Sequence, residues 1–306
     1  MPLRRLVLDG DYGIDDALAL LYLAGLPGVE VAAVGTVHGN APVAQATRNA
    51  RIVLEVAGLG GVRLAMGAER GMATVTEPRP DVHGEDGLGG AADGHGPQAL
   101  LGRGPAALQL TSVARGGPVT IVATGPLTNL ALALLLDPGI VDAVVGVVVM
   151  GGTVAEGAPV DPNIGGDPEA ADLVLGAGWP VTLLPVDVTS SVRLGELDLQ
   201  RLSSATSPAA QLAVRMLPQY VRWYEATTGR RGCPLHDPTA ARIAVEPGLA
   251  VCEPVPVSVA TCGSERGRLR LGAAASRGRP PVRLVTGVDE RRVVNGFVDA
   301  LVGSAA

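Results

Sequence analysis

Leu6-Val7-Leu8-Asp9-Gly10-Asp11-Tyr12-Gly13-Ile14-Asp15-Asp16-Ala17-Leu18-Ala19-Leu20-Leu21 joins a short apolar run to a longer apolar segment through a turn holding four carboxylates in eight residues. The run is too short for a helix and reads as a strand. Ala17, Leu18, Leu20, Leu21 and Ala24 recur at helical spacing. The same change of period follows at once: Val29–Val34 reads as a second strand, His38-Gly39-Asn40 as a turn, and Val43–Val56 as a second helix. Further on, Val119–Ala123, Val144–Met150 and Val181–Pro185 are almost continuously apolar, as strands covered on both faces should be. The pattern predicts an α/β fold, an open and mostly parallel β-sheet flanked by helices around a Rossmann-like core, with residues 1–306 forming a single domain.

Two glycine-rich stretches, Gly84–Gly96 and Gly151–Asp167, are expected to be functional loops, because long structureless segments in compact domains usually serve binding. Toward the C-terminus, Gly263–Pro281 is expected to form an exposed hairpin and Glu290–Leu301 a closing helix, with no chemistry assigned to either.

Composition narrows the function. Hydrophobic residues make up 47% of the 306 and charged ones 18%, a globular balance. All 24 residues of the Lys+Arg count are arginine, which excludes Schiff-base chemistry and a P-loop lysine. With a net charge of −6 and 2% aromatics, neither a nucleic-acid backbone nor stacked bases are expected partners. Cys233, Cys252 and Cys262 are odd in number and fit neither a disulfide framework nor a C-x-x-C metal site. The N-terminal apolar run is broken by Asp9, and Leu127–Leu136 and Val141–Met150 each fall short of the roughly 20 residues a membrane span needs. A reducing, cytoplasmic location without membrane association is the expectation.

The chemistry concentrates in the acidic turn, at the carboxyl end of the first strand, where open α/β sheets bind ligands. Asp15 can be read as a helix cap, but capping uses one carboxylate. Several anions on one turn repel one another unless a cation sits among them, and a hard divalent ion with oxygen ligands fits. His236-Asp237-Pro238, ahead of a helical stretch from Thr239, adds a further acidic point. Thr124 follows a buried strand and can turn its carbonyl into the same crevice. His38, Asn40, His83, Asp161 and Asn163 lie on expected loops with side chains suited to a polyhydroxylated ligand.

Together these segments resemble the nucleoside hydrolase family, the inosine-uridine preferring N-ribohydrolases. The family's opening Asp-x-Asp-Pro-Gly-x-Asp-Asp-Ala stands here as DGDYGIDDA from Asp9 to Ala17. The resemblance continues through VGTVHGN at Val34, HGEDGLGG at His83, ATGPLTNLA at Ala123, VVMGG at Val148, NIGGDPEAA at Asn163, PVDVT at Pro185 and PLHDP at Pro234. It implies the nucleoside hydrolase fold and a Ca²⁺ held by Asp11, Asp16, the Thr124 carbonyl and Asp237. It also implies that Asp11 is the general base and that Asp15 and Asn40 contact the ribose hydroxyls. Met150, Asp161 and Asn163 match further substrate-binding positions, and His236 and His83 match positions near the base, with Tyr220, Trp223 and Tyr224 expected to line the base pocket. A small-molecule nucleoside as substrate and a homodimer or homotetramer follow from the same resemblance.

Two departures stand out. Tyr12 occupies the place of the family's usual Pro, and Asp161-Pro162-Asn163 that of a Glu-Phe-Asn that holds the ribose 5′ end. A non-catalytic Ca²⁺ and sugar-binding relative and a divalent-metal phosphohydrolase of the aspartyl-phosphate type are the competing readings.

Overall fold

The computed structural model describes residues 3–93, 104–275 and 278–303. Its strands are β1 (Arg4–Gly10), β2 (Val29–Thr36), β3 (Arg63–Met66), β4 (Val119–Ala123), β5 (Val144–Met150) and β6 (Val181–Leu184). The remaining five are β7 (Arg193–Leu194), β8 (Cys233–Pro234), β9 (Ala250–Val259), β10 (Leu269–Leu271) and β11 (Pro281–Val288). One sheet runs in the order β10-β9-β11-β6-β5-β4-β1-β2-β3, and β7 pairs with β8 apart from it. All pairings from β11 to β3 are parallel, whereas β9 runs antiparallel to both β11 and β10.

Alternation along β1 builds the two sides of the core. Leu6 and Leu8 enter one buried cluster with the helices Ile14–Ala24, His236–Val245 and Glu290–Val302. Val7, pointing the other way, enters a second cluster with the helices Ala106–Arg115, Thr128–Leu136 and Pro168–Leu175. The helix Ile14–Ala24 is buried at every position from Ile14 to Leu23, so the apolar face anticipated for it extends around its whole circumference. Among the described residues, no helix is long and apolar enough to cross a membrane.

The chain proceeds outward from β1 through β2 to β3, then returns to place β4 on the other side of β1. The direction of winding reverses there, and the carboxyl ends of β1 and β4 flank the crevice that this reversal opens. Asp11 and Thr124 follow these two strands directly.

The expected helix Val43–Val56 and the strands Val119–Ala123 and Val144–Met150 have the observed bounds. Three expectations change. Gly151–Asp167 is not loop throughout, because Asp161 caps a short helix, Pro162–Gly166, with its side chain accepting from the Ile164 N–H at 2.8 Å. The helix expected from Thr239 begins at His236. Gly263–Pro281, of which residues 276 and 277 lie outside the described residues, is not itself a hairpin: it contains β10, which pairs back on β9. Pro254 and Pro256 obscure β9 in the sequence, and prolines are tolerated there because β10 covers only its last residues, Val257–Val259. Residues 94–96 of the expected loop Gly84–Gly96 lie outside the described residues.

Candidate active site

The acidic turn is shaped by close approaches. Gly13 is the N-cap of the helix Ile14–Ala24, and its N–H donates to Asp16 at 2.9 Å. Asp16, not Asp15, therefore caps this helix. A Cβ on Gly13 would stand 2.6 Å from His83 Nδ1 and 2.8 Å from Asn40 Nδ2, so only glycine lets the turn, the Asn40 loop and the His83 segment meet. Tyr12 has φ 38°, in the left-handed region, which costs a non-glycine residue about 1–2 kcal/mol. A proline, locked near −65°, cannot adopt that angle, so a proline here would require a different turn. The Tyr12 carbonyl accepts from Asn49 Nδ2 at 3.1 Å, while its ring is fully buried.

Four carboxylates converge on the floor of the crevice. Asp11, Asp15, Asp16 and Asp237 are all buried. Ligand oxygens of Asp15, Asp16 and Asp237 lie within 4.8 Å of one another. Asp11 adjoins Asp16 and is clamped by Asn40, whose backbone N–H and Nδ2 donate to its two oxygens at 2.8 and 2.9 Å. Thr124 Oγ1 donates to Asp16 at 2.6 Å, and the Thr124 carbonyl accepts from Asn163 Nδ2 at 2.9 Å, leaving its second lone pair free. Burial and then the Asp16 charge push the Asp11 carboxyl well above the usual range. Burial and then Asp15 raise Asp237 in the same way, and Asp16 is pushed up to about 7 by burial and Asp15. Asp15 Oδ1 is buried without a hydrogen-bond partner. An all-oxygen donor set under this mutual repulsion fits a divalent cation, which would relieve both the desolvation and the like-charge terms.

Above the floor lies a cavity of about 530 Å³ lined by Asp15, Asn40, His83, Thr124, Met150, Asp161, Asn163, His236 and Asp237. Tyr220, Trp223 and Tyr224, all from the helix Pro208–Thr228, line it as well. Asp11 and Asp16 sit beneath these residues, in contact with Asn40 and Thr124 respectively. The structure thus brings every candidate residue of the sequence to one place, except His38. That imidazole turns away: its ring bridges Thr76 at 2.9 Å and Thr128 at 3.0 Å, and Thr128 donates to buried Asp167 at 2.7 Å. Its role is to tie the Asn40 loop to residues 74–76.

One wall is aromatic. Tyr220 OH donates to Asp15 at 3.0 Å, and the Tyr220 and Tyr224 rings meet edge-on at 4.8 Å. Tyr224 OH and His236 Nε2 are 2.9 Å apart, and His236 Nδ1 reaches Thr189 Oγ1 at 2.6 Å. Burial pulls His236 down to about 4, so it is neutral near pH 7. His83 is also lowered by burial. Its Nδ1 accepts from the Ile14 N–H at 3.1 Å, and since a backbone N–H can only donate, the ring proton is on Nε2. Arg79, whose guanidinium lies 5.9 Å from the Trp223 ring centre, and Thr189 were not singled out by sequence reasoning; the PVDVT segment was the available signal for Thr189, and nothing local marked Arg79.

The carboxylate floor and the hydrogen-bonding aromatic wall thus meet at the switch point of the sheet, in one cavity. The sequence profile of the inosine-uridine preferring nucleoside hydrolases matches residues 6–295, and the chain belongs to that family. It is 34% identical over 287 residues to the inosine-uridine preferring nucleoside hydrolase of Crithidia fasciculata, covering 92% of this chain and 90% of that protein. Among solved structures it superposes on a plant nucleoside hydrolase with TM-score 0.92 at 29% identity, over 98% of this chain and 99% of that one. A purine-preferring ribonucleoside hydrolase from Gardnerella vaginalis gives TM-score 0.90 at 30% identity, over 98% of both chains.

Proposed function

We propose that this protein hydrolyses the N-glycosidic bond of a ribonucleoside, releasing free base and ribose, with Ca²⁺ at the carboxylate floor. The observation that carries this reading is the single cavity in which Asp15 and Asp237 face His83, Tyr224 and His236. Asp11, Asp16, the Thr124 carbonyl and Asp237 would hold the ion, with Asp15 in reach of the same point. Held there, such an ion would lower the pKa of an adjacent water.

The chain's own residues supply the remaining steps. Asp11, fixed in orientation by both Asn40 donors, takes a proton from the attacking water. The water oxygen bonds to C1′ as the C1′–N bond breaks, and the electron pair leaves with the base. Positive charge on the sugar ring is stabilised by the surrounding carboxylates. Asp15, held by Tyr220, and Asn40 orient the ribose hydroxyls. Met150 and Asn163 back the sugar, with Asn163 Nδ2 also donating to the Met150 carbonyl at 3.1 Å.

Departure of the base is assisted by Tyr224 and His236 acting together. Because burial keeps His236 neutral near pH 7, the pair does not store an imidazolium proton; it offers the Tyr224 hydroxyl as a hydrogen-bond donor to the charge developing on the base. His83 offers its Nε2–H to the same region. Three unpaired cysteines support a reducing compartment, and the homo-oligomer expected from the resemblance completes the reading. Incubation with a panel of purine, pyrimidine and modified nucleosides, followed by chromatography for free base, tests the proposal. Release of base from at least one member is expected, and no release from any overturns it.

A further inference from the structure

A side chamber of about 340 Å³ adjoins the main cavity, and Asn40, Arg79, Val160, Asp161 and Pro162 line both spaces. None of His83, Tyr220, Tyr224 or His236 lines the chamber, so it adjoins the cavity away from the base end. On the reading above, the 2′ and 3′ hydroxyls face the carboxylates and C1′ carries the base toward the Tyr224 wall. Only the 5′ carbon is left to point toward the 160–162 segment.

Three features specify what can enter there. Asp161, the acidic residue at the junction, is turned back on its own helix: it caps Pro162–Gly166 through the Ile164 N–H, and the N–H groups of Gly152 and Asn163 also lie against it. The chamber beyond carries Val75, Val160, Pro162 and glycines beside Thr74 and Thr76, whose hydroxyls are engaged by Arg266 and by His38 and the Gly166 carbonyl, so its surface is mostly apolar. Arg79, the cation at the junction, is occupied by Asp81 at 3.4 Å and by the Trp223 ring face, and Glu77 opposes an anion on the chamber side. A phosphate therefore meets a cation already shared with Asp81 and an opposing Glu77, whereas a neutral group meets apolar contact.

We propose that this chamber receives a neutral, largely apolar group borne on the ribose 5′ carbon, so that 5′-alkylthio nucleosides are substrates alongside unmodified ones. The inference rests on the nucleoside hydrolysis proposed above. It differs from a site built to hydrogen-bond the 5′ hydroxyl, which would reject an analogue lacking it by about 10⁴-fold.

The test compares kcat/KM for adenosine, inosine and uridine with that of their 5′-deoxy, 5′-deoxy-5′-methylthio and 5′-phosphate counterparts. For a base that is released from the parent, the deoxy and methylthio compounds are expected within about tenfold of the parent and the phosphate well below it. A larger loss for the deoxy and methylthio compounds with the parent still cleaved overturns the proposal and leaves nucleoside hydrolysis standing; a phosphate cleaved as well as the parent overturns the neutral-group assignment. No cleavage of any compound overturns both readings. Val75→Trp, which adds bulk at the exposed rim of the chamber, where Val75 is 72% exposed, without lining the main cavity, is expected to lower the methylthio compound severalfold and the parent less than about twofold. Equal effects on the two would show that the substituent does not occupy the chamber.

Discussion

The floor and the aromatic wall of one cavity are built in opposite ways. Three floor carboxylates, Asp11, Asp15 and Asp16, come from one turn, so the local backbone fixes their spacing, and only Asp237 arrives from afar. The wall has no such local origin: His83, Tyr220, Tyr224, His236 and Thr189 come from four separate segments and touch only through side chains. The floor stores like charge and calls for a cation. The wall stores directed donors and needs none. A site assembled this way divides its labour, with bond cleavage assigned to the floor and leaving-group handling to the wall.

The division breaks first, if it breaks, at the floor. Asp11→Asn removes the base and one ion ligand, and kcat is expected to fall about 10³-fold or more with every substrate, activated or not. Asp237→Ala is expected to lose bound Ca²⁺ as well, read by elemental analysis of protein equilibrated with the ion. Wild-type turnover in Asp11→Asn, or protein that takes up no Ca²⁺ at all, would undo the floor assignment.

The wall gives a selective loss. His236→Ala and Tyr224→Phe are each expected to slow natural nucleosides about 10²–10³-fold while leaving a p-nitrophenyl riboside, whose leaving group needs no donor, almost unaffected. Equal losses on both substrates would mean that these residues position the sugar or the ion.

The turn beneath the floor is tested through folding. Tyr12→Pro forces φ away from 38° and is expected to cost about 3 kcal/mol, seen as a lowered Tm. An unchanged Tm would show that the turn adopts either geometry freely.

The smallest effect on turnover is expected at Asp9, one strand residue before the floor. Burial pushes its carboxyl up to about 7, partly offset by Asn129, which donates to both oxygens. Between the ordinary value of 3.8 and about 7 the folded state holds a proton that the unfolded chain has released. Its contribution to stability is therefore complete below 3.8 and is lost as pH rises through about 7. Asp9→Asn is expected to keep kcat and to show a smaller drop in Tm than the wild type between pH 5 and pH 8. An equal drop in the two proteins would contradict the buried, protonated carboxyl.

The sequence by itself determined the strand, turn and helix order through Val56, the parallel sheet and the acidic floor, because each depends on neighbours close in the chain: alternation, helical period, and carboxylates crowded on one turn. It also supplied His236 and Asp237 as a pair, since adjacency places both near the site. What it left open depends on contacts that no local pattern encodes. The seating of β9 between β10 and β11 is hidden by its prolines. His38 carries the same polar chemistry as His83, and only packing against Thr76 and Thr128 takes it out of the cavity. Asp161 and Asp15 are both acidic residues on expected loops, yet one bends back to cap its own helix while the other keeps an unpartnered oxygen. Tertiary structure decided these cases because a polar side chain's role is set by which donors and acceptors share its burial, and those are fixed only when distant segments pack.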